Sequence, residues 1–202
     1  MTMLSSLELI RRVPLFSMLT DAQAVSVADA VVKRRFKRGE VIVEQGKKTN
    51  ALFILLNGRA RVITSDSRGR EVILATLRPG DHIGEMSLID NEPHSATVRA
   101  EVQTDVLMLG RTEFARCLPE NSSMAYAVMR GLVQRLRQAD RKIESLALMD
   151  VYGRVARALL EFAVEEGDGT LLIRERLSRQ DIAKMVGASR EMVSRVMKDL
   201  EE

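Results

Sequence analysis

From Val31 to Leu109 the chain is cut into short β-rich runs: "VIV", "ALFILL", "ARVIT", "EVILATL", "ATVRAEV" and "DVLML". Glycines punctuate them at Gly39, Gly46, Gly58, Gly69, Gly80 and Gly84. A stretch interrupted this often does not sustain a helix. Short strands between turn glycines bury an apolar face by closing into a barrel or stacking as a sandwich. Within the stretch, "SRGR" at 67–70 reads as a hairpin loop and "RPGD" at 78–81 as a Pro-Gly turn. Two helical signals precede it: "SSLELIRRV", where Ser5 and Glu8 fit a capping box, and "TDAQAVSVADAVV", where Thr20 and Gln23 do the same.

After Pro119 the period becomes helical, with a start near Asn121–Ser123. Ala125, Met129, Leu132, Leu136, Ala139, Ile143 and Leu146 recur in steps of four and three, a heptad seam that predicts a two-stranded coiled coil between identical chains. The alternative is one face of a helix packed on its own domain. A smaller unit begins near Asp150. It holds the amphipathic run "DVYGRVARALLEF", the loop "EEGDGT", a short strand "LLI", and two helical segments in "LSRQDIAKMVGASREMVSRVMKDLEE" broken at Gly187.

Composition excludes several classes. The 202 residues, 46% hydrophobic and 29% charged, suit one or two soluble globular domains. No apolar run spans a bilayer, and "MTMLSSLELIRR" has no leader pattern, which predicts a cytoplasmic protein without membrane contact. The single Cys117 forms no internal disulfide and holds no iron–sulfur cluster, and His82 and His94 lack the cysteine pair of a structural zinc site. "GKKT" at 46–49 echoes a P-loop ending, but Val41 stands where its leading glycine belongs. Neither histidine has a hydrolase context. No catalytic or metal-binding residue is expected. The net charge of +3 permits a nucleic-acid partner without requiring one.

In residues 178–202, Ile182, Ala183 and Val186 read as the inner face of one helix, and Val193, Val196 and Leu200 as that of the next. Ser178 with Asp181 caps the first, and Ser189 opens the second. The start of the second helix carries Arg190, Glu191 and Arg195. An arginine fork matches guanine O6 and N7, and a glutamate accepts from cytosine N4. An ordinary solvated helical hairpin with a Glu191–Arg195 pair is the plainer alternative. "RQDIAKMVGASREMVSRVMKDLE" resembles the DNA-binding domain of the cyclic AMP receptor/fumarate-nitrate regulator (CRP/FNR) family of bacterial transcription regulators, and the resemblance extends along essentially the whole chain.

The resemblance implies base contacts for Arg190, Glu191 and Arg195, and phosphate contacts for Arg179, Gln180 and Ser189. It also implies an α+β chain with a cyclic-nucleotide-binding β-roll (a jelly-roll barrel) over 1–120, a dimerisation helix over 121–148 and a winged helix-turn-helix over 149–202. The family usually continues into a β-hairpin wing, whereas this sequence ends at "KDLEE", so a truncated or incomplete tail is expected.

The resemblance also gives a reading for "GEMSLIDNEPHSA", which is similar to the family's phosphate-binding cassette. Gly84 lets backbone approach a cyclic phosphate, Glu85 accepts from a ribose hydroxyl, and Ser95 and the Ala96 amide donate to phosphate oxygens. His94 stands where nucleotide-binding members carry arginine; a neutral imidazole is one donor rather than a bidentate cation. On the long helix the resemblance places Arg135, Ala139 and Asp140 on the ligand side, where the cyclic AMP receptor offers two hydroxyls to adenine. Asp140 either meets the N1–H and N2–H₂ edge of guanine or pairs with Arg137. The expected effector is cyclic AMP, cyclic GMP or cyclic di-GMP, or there is none; the resemblance also admits haem at His82 or His94, as in some members, while an enzyme degrading cyclic nucleotides would need metal ligands that are missing. The expected partners are a second copy, double-stranded DNA with TGTGA-like half-sites, and RNA polymerase. A ligand-independent dimeric DNA-binding protein, or a ligand-binding and dimerisation module with a non-functional helix-turn-helix, is the rival reading.

Overall fold

The computed structural model describes residues 6–16, 19–120, 122–167 and 169–201. They fall into two compact bodies. One comprises Met1–Thr64 with Leu74–Gln134, the other Ser65–Ile73 with Arg135–Glu202.

The first body opens with α1 (Ser6–Arg12), a 3-10 turn at Pro14–Phe16 and α2 (Asp21–Ala30). The expected Thr20 box is present: the Thr20 hydroxyl accepts from the Gln23 N–H at 3.4 Å and the Gln23 amide oxygen accepts from the Thr20 N–H at 3.0 Å. The box involving Ser5 lies outside the described residues. The strands are β1 (Val32–Phe36), β2 (Val41–Val43), β3 (Ala51–Asn57), β4 (Ala60–Ser65), β5 (Glu71–Leu77), β6 (His82–Ile83), β7 (Thr97–Ala100) and β8 (Thr104–Gly110). They form two four-stranded sheets, ordered β1-β8-β3-β6 and β2-β7-β4-β5. Phe36, Phe53, Leu55, Ile83 and Val106 of the first sheet meet Ile42, Val43, Ala60, Val98 and Ala100 of the second, closing one core.

The other face of β3 and β8 is also covered. Leu52, Ile54, Leu107 and Leu109 pack with Ile10, Leu15, Phe16, Ala24 and Val27 of the N-terminal segment. Strands buried on both faces read as unbroken apolar runs, which is why "ALFILL" and "DVLML" show no alternation. β1, β6, α3 (Glu85–Asp90) and α4 (Arg111–Glu120) were not legible in the pattern. β1 is an exposed edge strand of lysine and arginine, held by pairing with β8 rather than by its own apolar face.

At the bulge of β3 between Leu55 and Asn57, Asp105 is 3% exposed. It accepts from Arg35 Nε at 2.6 Å and Nη2 at 3.1 Å, and from Asn57 Nδ2 at 2.9 Å. The Asn57 amide oxygen in turn accepts from the Asp105 N–H at 3.0 Å. The Arg35 hydrogen bonds, then the Asn57 amide, hold the Asp105 carboxyl below the usual carboxylate range.

The long helix α5 (Ser122–Leu148) carries two distinct faces. Val128 is buried in the core beneath the N-terminal helices, with Ala127 and Leu132 packed against it. Tyr126, Met129, Val133, Leu136, Ile143 and Leu146 remain 50–66% exposed. Leu132, expected in the free seam, therefore serves its own body, and Val133 takes its place in the exposed stripe.

In the second body, α6 (Val151–Phe162) is capped by Asp150, which accepts from the Gly153 N–H at 2.8 Å. β9 (Val164–Glu165) pairs with β10 (Leu171–Leu172). α7 (Arg179–Val186) and α8 (Arg190–Glu201) follow, separated by Gly187 at φ 65°, the left-handed helix end that glycine tolerates. Val155, Ile182, Ala183, Val186, Val193 and Val196 form the core, while Leu200 is 41% exposed and does not join it. The hairpin tip at 65–73 belongs here through Lys142, whose ammonium donates to the Ile73 carbonyl at 2.6 Å, and a Lys184–Glu71 ion pair of 2.6 Å.

Replacing Asp105 with alanine removes a charged acceptor from under Arg35 and Asn57, and should lower stability by about 1–3 kcal/mol. Because the folded carboxyl ionises more readily than the unfolded one, its contribution is present above the ordinary carboxylate value and lost as pH falls through the lower folded value. Urea unfolding at pH 7 and pH 3 should show the gap between wild type and Asp105→Ala narrowing in acid.

Candidate functional site

The strand β6 runs beside β3, Ile54 opposite His82 and Phe53 opposite Ile83. It stops at Gly84, where φ is 95° and an added Cβ would lie 2.6 Å from the Ala51 carbonyl oxygen. Only glycine fits this corner. α3 begins at once, so Glu85 is its first residue, and the residue is 1% exposed. Ser87 is also buried, and among the described residues its hydroxyl has no hydrogen-bond partner.

The far end of the segment is tied down separately. Asn91 closes α3 in a left-handed conformation, and Arg111 Nη2 donates to the Ser87 carbonyl at 3.0 Å and to Asn91 Oδ1 at 3.1 Å. His94 donates its N–H to the Lys47 carbonyl and accepts from the Gly46 N–H, both at 2.9 Å. Its ring Nε2 lies 2.8 Å from the Thr49 hydroxyl. Ser95 is exposed and Ala96 buried.

Three consecutive residues thus anchor the whole segment. Thr49 holds His94, the Asn50 carbonyl accepts the Arg111 N–H at 2.8 Å, and the Ala51 carbonyl backs Gly84. Thr49, Asn50 and Arg111 were missed in the sequence, although "GKKT" marks the place: the run that fails as a P-loop is the cassette's anchor. His94 is 8% exposed, and burial pulls its pKa below the ordinary histidine value. The ring is neutral at pH 7 and directs Nε2 to Thr49, so it brings no fixed cation to this loop.

The helix residues Arg135, Ala139 and Asp140 belong to α5 in the second body. Arg135 is half-buried, Ala139 and Asp140 exposed. In the same body, Arg179 and Gln180 open α7 and are exposed. Ser189 accepts from the Met192 N–H at 3.2 Å, capping α8, and Arg190, Glu191 and Arg195 are exposed on its first turns. The Glu191 backbone N–H and the Ser189 hydroxyl, helped by Arg190 and Arg195, hold the Glu191 carboxyl below its usual range. It is an ionised acceptor flanked by two guanidinium donors. No helix among the described residues is long and apolar enough to cross a membrane.

A β-roll with this strand–glycine–helix corner, joined through a long helix to a helix-turn-helix of this charge pattern, defines a cyclic-nucleotide-responsive DNA-binding regulator. Residues 33–121 match the cyclic nucleotide-binding domain family and residues 153–202 the Crp-like helix-turn-helix domain. The cAMP-activated global transcriptional regulator Vfr of Pseudomonas aeruginosa is 36% identical over 179 residues, covering 84% of this chain and 82% of that protein. The cAMP-activated global transcriptional regulator CRP of Salmonella typhimurium is 31% identical over 174 residues, covering 83% and 81%. Among solved structures, the c-di-GMP responsive global regulator CLP of Xanthomonas campestris superposes with a TM-score of 0.78 at 25% identity, covering 90% of this chain and 92% of that one. The chain belongs to the CRP/FNR family of transcription regulators.

The depressed His94 pKa has a definite consequence. The unfolded histidine takes up a proton before the folded one does. Stability is therefore unaffected above pH 7, falls as pH drops below the ordinary value of about 6.5, and levels off below the folded pKa. His94→Gln should flatten that decline, read as the difference in urea midpoint between pH 7.5 and pH 5.

Proposed function

We propose that this protein is a homodimeric transcription regulator that binds a palindromic DNA site through α8 when an effector occupies the cassette. The observation that carries the reading is the start of α8, where Arg190, Glu191 and Arg195 stand exposed on a helix end capped by Ser189. Two arginine forks and an ionised carboxylate on one helix end suit guanine and cytosine edges in a major groove. Half-sites like TGTGA are the first to try. Arg179, Gln180 and Ser189 are assigned to phosphates, which position the helix without reading sequence.

The dimer is supported by α5. An exposed apolar stripe from Tyr126 to Leu146 on a helix of about 40 Å is a surface that a second copy of the same helix would bury, with a twofold axis along the seam.

For the effector, Glu85 is assigned to a sugar hydroxyl, and Gly84, Ser95 and Ala96 to the phosphate. The neutral, Thr49-bound His94 supplies no permanent cation there, unlike an arginine. That weakens the case for a single cyclic phosphate held as in the cyclic AMP-activated relatives, and keeps a guanine-containing ligand such as cyclic di-GMP as the alternative. On a promoter, the bound dimer would meet RNA polymerase in the cytoplasm.

The test is titration of a palindromic duplex by fluorescence anisotropy, with cyclic AMP, cyclic GMP or cyclic di-GMP present and without any of them. Arg195→Ala should cost about 1–3 kcal/mol on the matched site and lose preference at one base pair, while Arg179→Ala weakens all sequences alike. Equal losses for Arg195→Ala on matched and substituted sites would refute base reading. Leu136→Asp places a charge against its own copy in the seam and should yield monomers by light scattering.

A further inference from the structure

Gly131 is a poor helix former in the middle of the 27-residue α5. The first body explains its presence. A Cβ at position 131 would lie 2.8 Å from Cε1 and 3.1 Å from Nε2 of His82, closer than packed atoms allow. The imidazole, 8% exposed, therefore rests against the helix backbone rather than against a side chain. Gly131 shares the inward face of α5 with Val128 and Leu132, opposite the exposed stripe of Met129, Val133 and Leu136.

His82 also stands three residues before Glu85. The intervening β6 is only two residues long, and Gly84 is wedged against the Ala51 carbonyl. A segment this short and closely packed has no slack: a displacement of the Glu85 corner is carried along Ile83 to the His82 ring. At the other end of the contact there is no flexible side chain to absorb it. The ring meets backbone, so a shift of the ring bears directly on α5.

We propose that His82 is the positioning residue that couples the cassette to the dimer helix, with Gly131 as its receiving surface. This inference rests on the effector-responsive reading above. In it, occupation of the corner by a ligand biases the setting of α5 through the His82–Gly131 contact, and α5 carries that bias to the DNA-binding half of each copy. The role is one of transmission: His82 is not assigned to the ligand.

The measurement is the ratio of DNA affinities with and without cyclic AMP, cyclic GMP or cyclic di-GMP, together with the affinity for that effector by calorimetry and the melting temperature. Coupling between two such sites is typically about fivefold or more. His82→Ala and Gly131→Ala should each bring the ratio close to one while effector affinity changes little. His82→Gln, which keeps a planar polar side chain of similar reach, is measured alongside in case the alanine variant folds poorly, and should retain part of the ratio. In His82→Ala/Gly131→Ala the new methyl enters space the ring has left, so the two effects should not add. Variants that lower the melting temperature but keep the wild-type ratio would show His82 to be packing only, and overturn the proposal. Additive losses would do the same. A wild-type protein whose DNA affinity responds to none of the three effectors overturns the effector-responsive reading, and this inference with it.

Discussion

The cassette depends on a close approach that leaves no room for a side chain. At Gly84 the chain turns from β6 into α3 directly over the Ala51 carbonyl, in a left-handed conformation. That corner sets Glu85 at the first position of the helix, where its carboxylate is enclosed rather than solvated. Thr49 and Asn50, the two residues before Ala51, then fix His94 and Arg111. The entry to β3 is therefore the common support of a segment that has little regular structure of its own. β3 can serve this way because both of its faces are buried, one between the sheets and one under the N-terminal helices.

Charge is handled in two ways. In the first body, Asp105 is enclosed under Arg35 and Asn57, and His94 is kept neutral by burial. In the second, Arg179, Arg190, Glu191 and Arg195 face solvent at helix N-termini, where little holds them beyond capping. Enclosed groups specify one geometry, because an unpaired buried charge is costly. Exposed forks keep their donors available for a partner, which is what contact with base edges and phosphates needs.

The long helix combines both requirements. One face, with Ala127, Val128, Gly131 and Leu132, completes the first body, and the other leaves a stripe of apolar side chains uncovered. A seven-residue repeat cannot separate these faces by itself. Leu132 and Val133 are adjacent and equally apolar, and either fits a seam shifted by one position.

The sequence by itself determined what depends on neighbours within a turn or two: the Thr20 and Ser178 caps, the break at Gly187, the strand-and-glycine punctuation, and Arg190, Glu191 and Arg195 on one helix start. These are legible because capping, periodicity and turn geometry act over a few residues. Only the tertiary structure decided the rest. β1 is a strand because β8 lies beside it, and His94 is neutral because Thr49 and the surrounding fold enclose it from 45 residues away. Gly131 is glycine because a ring from β6 occupies the space its side chain would need. Each of these follows from a contact between segments far apart in the chain, and local pattern carries no record of which distant residue will arrive.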